Sequence, residues 1–194
     1  MSSNQTGVAK AQSRDGTEIV FERSGDGPPL LFVGDAFQQR SDPGMAQLAA
    51  LLAPRFTVFN YGRRGRGDGD TKPHAAEREV EDLEALMAQA GGPASVFGIS
   101  SGAIVALEAA RRLPITKLAL FEPPIMPAQR MTSVTAQTLV IAGEGSDPRL
   151  RRTARALWAV LPDVQHCTLE GQTHDWAPEA LAPVLERFFA GSGH

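Results

Sequence analysis

Three positions in this chain have the residue types, the order and the surroundings for acyl-transfer chemistry. They are Ser100, His174 and an acid that lies between them. Ser100 is the centre of Gly98-Ile99-Ser100-Ser101-Gly102. The apolar pair Val96-Phe97 precedes this stretch and an alanine-rich helical pattern over residues 103–112 follows it, which predicts a strand, a sharp turn and a helix with the serine at the apex. Glycines two residues either side suit such a turn, because a Cβ there would collide with neighbouring backbone. A serine hydroxyl is unreactive at neutral pH until a base takes its proton, and histidine has the pKa both to remove and to return it. His174 lies in the loop Glu170-Gly171-Gln172-Thr173-His174-Asp175-Trp176, after the last predicted strand and before the closing helix. The other histidines are placed less well: His74 precedes a helix, His166 falls within a strand and His194 is terminal.

A third group must orient the imidazole and stabilise its protonated form. Glu122 directly follows a predicted strand ending at Phe121, and Asp147 follows one ending at Ala142, so both qualify. Asp147 also precedes Pro148 and a helix, the position of an N-cap. An oxyanion formed during acyl transfer needs two fixed N–H donors. The Ser101 amide, at the start of a helix, is one candidate; Ala36 or Phe37, in the loop after the strand over residues 30–33, supplies the other. Asp35 in this loop would oppose an oxyanion, and it is expected to turn away.

These residues need a scaffold that gathers loops at one edge. Residues 7–13 and 18–24 flank Asp15-Gly16 and predict an antiparallel hairpin at a sheet edge. Strands are predicted at 30–33, 56–60, 115–121, 138–142 and 164–169, besides the one before Gly98. Helices are predicted at 45–52, 75–90, 103–112, 149–161 and 177–190. This alternation calls for a mostly parallel, twisted sheet with helices on both faces, in which ligands bind at the carboxyl ends of the strands. The loop from Tyr61 to Asp70 carries four glycines and a nearly balanced set of arginines and aspartates, and reads as a solvated, internally paired loop. Its Arg66-Gly67-Asp68 tripeptide reads as incidental.

Composition narrows the class. A chain of 194 residues that is 42% hydrophobic suits one compact domain over 1–194. A formal charge of −3 gives no reason to expect nucleic acid or an anionic membrane as partner, so a small-molecule substrate is expected. One cysteine, Cys167, excludes an intramolecular disulfide and is expected to be a small buried hydrophobe. The start of the chain lacks the charge and apolar pattern of a leader, and no long apolar run occurs, from which a cytoplasmic protein is expected.

With serine, acid and histidine in that order on alternating strands and helices, the chain resembles the α/β-hydrolase family over about residues 17–190. The resemblance rests on Gly98-Ile99-Ser100-Ser101-Gly102, on the segment from Tyr61 to Gly69, on Leu118-Ala119-Leu120-Phe121-Glu122-Pro123-Pro124 and on Gly171-Gln172-Thr173-His174. It looks most like small actinobacterial-type members described only as α/β-fold hydrolases. The resemblance implies the α/β-hydrolase fold and a Ser100–His174–acid triad, with no metal or organic cofactor. Some relatives, the haloalkane dehalogenases among them, carry the acid just after the sixth strand, which favours Glu122 over Asp147. The chain departs from the pattern in three places. Gly34-Asp35 replaces the His-Gly of many oxyanion loops, Gly62 and Gly69 replace an aspartate and a serine, and Ser146 stands where an acid usually follows the seventh strand. Members commonly insert a helical cap between the sixth and seventh strands, whereas here only residues 122–137 span that gap. The expected site is therefore open, with Phe37, Ile99, Ile125, Met126 and Trp176 presenting apolar surface beside Asp35 to the substrate, a patch that invites a homodimer as its cover. The function implied is hydrolysis of a carboxylic ester, thioester or lactone through an acyl-enzyme. The alternatives are a lactone-forming or cyclising tailoring enzyme on the same site, or a non-catalytic ligand- or partner-binding protein on this fold.

Overall fold

The computed structural model describes residues 7–36, 38, 40–65, 76–124 and 133–191. Among these residues, eight strands form one sheet: β1 (Gly7–Gln12), β2 (Glu18–Ser24), β3 (Pro29–Val33), β4 (Thr57–Tyr61), β5 (Ala94–Ile99), β6 (Ile115–Phe121), β7 (Gln137–Gly143) and β8 (Val164–Leu169). Their order is β1-β2-β4-β3-β5-β6-β7-β8. The β1–β2 hairpin is antiparallel and joins β4 antiparallel, while β3 to β8 run parallel. The described residues also form five helices, α1 (Pro43–Leu52), α2 (Ala76–Ala90), α3 (Ser101–Ala110), α4 (Pro148–Val160) and α5 (Pro178–Ala190), the last of which follows β8.

Period-two alternation in strands that are apolar throughout splits the core into two layers, because successive side chains leave opposite faces of the sheet. Leu31, Val33, Leu118, Leu120 and Val140 pack with Val80 and Leu83 of α2, Val105 of α3 and Leu157 of α4. Leu30, Phe32, Ala119, Phe121, Leu139 and Ile141 pack on the other face with Leu48 of α1 and Leu181 and Leu185 of α5. This is the α/β-hydrolase fold with no large cap; residues 122–136 separate β6 from β7. Among the described residues, no helix is long and apolar enough to cross a membrane.

The loop after β4 corrects one expectation. Arg63 and Arg64 are buried, with side chains 4% and 1% exposed. Arg63 forks onto Glu79 of α2. Arg64 pairs with Asp82 of α2, itself fully buried, and with Asp15 in the β1–β2 turn. The arginines thus staple the loop's start to α2 and the hairpin instead of pairing within a solvated loop; Arg66, Gly67, Asp68 and His74 lie outside the described residues. Cys167 is free and half-buried, on the edge strand β8.

Candidate active site

The geometry starts from a strained turn. Among the described residues, Ser100 and Glu122 are the two non-glycine residues with positive φ, at 51° and 45°. Such backbone costs on the order of 1–3 kcal/mol and persists only where surrounding structure enforces it. At Ser100 the enforcement is visible. Its N–H donates to the Phe121 carbonyl at 2.9 Å, and a Cβ added at Gly98 would lie 2.8 Å from Ala103 Cα and 2.9 Å from Ala106 Cβ. A Cβ at Gly102 would lie 2.2 Å from the Val33 carbonyl oxygen and 2.4 Å from that of Gly34. The elbow therefore closes only because both flanking positions lack a side chain. Its helix begins at Ser101, two residues earlier than the sequence pattern indicates.

Parallel register brings the remaining groups to the same edge. Ile99 pairs with Phe121, Phe121 with Ile141, and Gly143 with Leu169, so the loops after β5, β6, β7 and β8 emerge side by side. Glu122 is fully buried at this edge. One of its oxygens, Oε2, meets His174 Nδ1 at 2.7 Å. The other accepts from the Gly143 N–H at 2.8 Å and from the Ser146 hydroxyl. Burial acts to raise the Glu122 pKa, but the bonds from His174, Ser146 and Gly143 outweigh it and hold the carboxyl below its usual range. The same bond from Glu122, opposed by burial and assisted by the charges of Glu122, Asp35 and Asp175, raises His174 above the ordinary histidine value. Phe121 packs beside the imidazole, with ring centroids 6.4 Å apart and ring planes inclined by 29°. The histidine loop is held by Gln172, whose side chain accepts from the Ala177 N–H at 2.8 Å and whose carbonyl accepts from Gly145.

Asp147 has a different place. It is the N-cap of α4 and accepts from the Arg149 N–H at 2.7 Å. Glu144 accepts from the Gly171 N–H, which ties the β7–α4 loop to the histidine loop. No described residue hydrogen-bonds the Ser100 hydroxyl; bonds between nucleophile and base often tighten only when substrate arrives.

The oxyanion loop departs from expectation. Asp35 does not turn away: it lines a cleft of about 390 Å³ together with Gln38, Asp42, Gly44, Ile99, His174, Asp175 and Trp176. Its Oδ1 accepts from the Ala36 N–H at 2.5 Å and from the Ser101 hydroxyl at 2.9 Å. These donors hold the carboxylate beside the elbow, which electrostatic repulsion alone would disfavour. Phe37, Ile125 and Met126 lie outside the described residues. Sequence reasoning missed Gln38 and Asp42 as cleft residues and Ser146 as a donor to Glu122. The Asp42-Pro43 dipeptide marks a helix start, and Ser146 stands at the usual acid position, but nothing in the pattern marks Gln38. Among the described residues, no group of three His, Cys, Asp or Glu side chains is placed to hold a metal ion.

Comparison with known proteins decides the family. A profile described as "Alpha/beta hydrolase family" matches residues 30–190. The chain belongs to the α/β-hydrolase family. A solved α/β hydrolase from Sphaerobacter thermophilus is 38% identical, with a TM-score of 0.87 over 93% of this chain and 100% of that one. A thermophilic esterase from Thermogutta terrifontis is similar in fold, with a TM-score of 0.82 at 17% identity over 95% of this chain and 98% of its own. An uncharacterized hydrolase of Bacillus subtilis, YraK, is 32% identical over 108 residues, which are 51% of this α/β hydrolase and 38% of that protein's length.

Proposed function

We propose that this α/β hydrolase is a serine hydrolase that cleaves a carboxylic ester, thioester or lactone of a small molecule through an acyl-enzyme. The observation that carries the reading is the pairing of a strained serine elbow with a histidine held by a buried carboxylate at the same sheet edge. In the reaction, Ser100 Oγ attacks the acyl carbon as His174 Nε2 takes the hydroxyl proton. The bond from the acyl carbon to the leaving oxygen or sulfur then breaks, and His174 returns the proton to the departing alcohol or thiol. Water repeats the sequence on the acyl-enzyme, releasing the carboxylic acid and restoring Ser100. Glu122 keeps the proton on Nδ1, so that Nε2 is the basic nitrogen, and stabilises the imidazolium. The Ser101 amide, in the first turn of α3, is one oxyanion donor, and the Ala36 amide, which donates to Asp35 Oδ1 in this structure, becomes the second when the bound acyl group draws that carboxylate aside.

Hydrolysis of p-nitrophenyl butyrate tests the reading. The wild type should release nitrophenolate well above the buffer rate, and Ser100→Ala should fall to that rate. A wild type no faster than buffer on butyrate, acetate and a simple lactone points instead to a binding protein.

A further inference from the structure

Asp35 sits where an acyl-transfer site tolerates negative charge least. It is the neighbour in sequence of Ala36, lines the cleft with His174 and Ile99, and contributes to the raised pKa of His174. It is also held firmly. Its N–H donates to Gln38 Oε1 at 2.9 Å. The Ser101 hydroxyl, which donates to Oδ1, accepts in turn from Arg63 Nη1 at 3.0 Å, and the same Arg63 nitrogen donates to the Gly34 carbonyl at 3.0 Å. Arg63 is buried and forked onto Glu79 at 2.6 and 2.9 Å. That arginine is thus already matched by one carboxylate, which leaves Asp35 as surplus negative charge in the cleft wall.

The two oxygens of Asp35 differ. Oδ1 takes both internal donors, from Ala36 and Ser101. Oδ2 has no donor among the described residues. A carboxylate whose one oxygen is pinned and whose other takes no donor from the described residues is a preorganised acceptor for a ligand. Its position beside the Ala36 amide sets where that ligand donor must be. A donor atom on the first or second carbon of the acyl chain lies two or three bonds from the carbonyl carbon, which keeps it on the same side of the cleft as a carboxylate adjacent in sequence to the oxyanion loop's amide.

We propose that Asp35 selects substrates whose acyl group carries a hydrogen-bond donor, a hydroxyl or an ammonium, on the carbon next to the scissile carbonyl or one further on. This rests on the serine-hydrolase reading and adds the substrate class to it. Such a donor bonds Oδ2 and draws the carboxylate's charge away from the forming oxyanion. A plain acyl group leaves the charge in place, so the same oxyanion forms against repulsion and an acceptor is left unmatched.

The test compares kcat/KM for four ethyl esters that differ at one carbon: propionate, 2-methoxypropionate, lactate and alaninate. In the wild type, lactate or alaninate should exceed both propionate and methoxypropionate by about tenfold or more, the size of one hydrogen bond to a charged acceptor. Lactate and alaninate arms separate hydroxyl from ammonium. In Asp35→Asn and Asp35→Ser the ratio of donor-bearing to plain ester should collapse toward one. Equal wild-type values for all four esters overturn the proposal, as does a preference that survives both substitutions. No turnover of any ester together with no labelling by a fluorophosphonate brings down the hydrolase reading and the proposal with it, whereas turnover without preference brings down the proposal alone. If both variants fail to fold, a carbon NMR titration that follows the Asp35 side-chain carboxyl of the wild type replaces them: lactamide should shift that resonance and propionamide should not, and equal shifts overturn the assignment.

Discussion

Replacing Glu122 by glutamine is the perturbation whose effects follow most directly from the geometry. The substitution keeps the volume of a fully buried side chain but turns one acceptor oxygen into a donor. Glu122 accepts three bonds, from His174 Nδ1, Gly143 N–H and the Ser146 hydroxyl. The amide oxygen of glutamine can serve only one side of that set. If it stays with Gly143 and Ser146, the NH2 group faces Nδ1 and drives the imidazole to the tautomer with its proton on Nε2, where it cannot act as base. Loss of the correct tautomer in a triad lowers kcat by about a thousand- to ten-thousandfold, which is about 4 to 5.5 kcal/mol of barrier. The pH profile supplies a second readout. His174 must be neutral to accept the serine proton, and Glu122 holds its pKa above 6.5. The acid limb of kcat/KM should therefore lie above about pH 6.5 in the wild type and move lower in whatever activity Glu122→Gln retains. Steady-state ester hydrolysis from pH 5 to 9 measures both. Retention of more than a tenth of the activity with an unmoved limb, alongside a loss of that size in Asp147→Asn, would refute the reasoning and make Asp147 the orienting acid.

Other outcomes follow from the same structure. Stability should depend on pH through the His174–Glu122 pair: the histidine's contribution is complete below 6.5 and fades as pH rises through its raised folded value. The carboxylate's contribution is complete above 4.5 and fades as pH falls through its lowered one. Thermal unfolding should accordingly show the largest gap between wild type and Glu122→Gln at about pH 4.5–6.5, and a gap that grows toward pH 9 would contradict the sign. Gly102→Ala should destabilise by about 1–3 kcal/mol in urea titration, because its Cβ would press on two carbonyl oxygens that cannot move without shifting β3 and the oxyanion loop. Arg64→Met should cost about 3–5 kcal/mol by leaving Asp82 buried and unpaired, while Arg64→Met with Asp82→Leu should recover much of it; a double variant as unstable as the single one would show that the loss is one of packing.

The fold was legible because its signals are local. Strands buried on both faces read as short apolar runs, helices as periodic ones, and Asp15-Gly16 marked the hairpin turn, where Gly16 has a φ of 87°. What was not legible depends on partners far along the chain. Arg63 and Arg64 sit among glycines that indicate an exposed loop, yet their acids lie 16, 18 and 49 residues away and become neighbours only when α2 and the hairpin are in place. Glu122 and Asp147 both follow strands, so spacing left the choice between them open. The discriminating facts are three-dimensional: one oxygen of Glu122 reaches His174, while Asp147 is occupied by the first turn of α4. Asp35 shows the limit of a pairwise charge argument, because a carboxylate that repulsion would turn outward is retained by a hydroxyl and an amide whose positions a sequence does not display.

The most direct test of the account is peptide-resolved mass spectrometry after brief exposure to a fluorophosphonate. Two adjacent serines make the resolution essential. The expected result is a single adduct on Ser100, retained when Ser101 is replaced by alanine, lost in Ser100→Ala and much slower in His174→Gln. An adduct on Ser101, an adduct that survives Ser100→Ala, or no adduct on the folded wild type would contradict a nucleophilic Ser100 at the elbow.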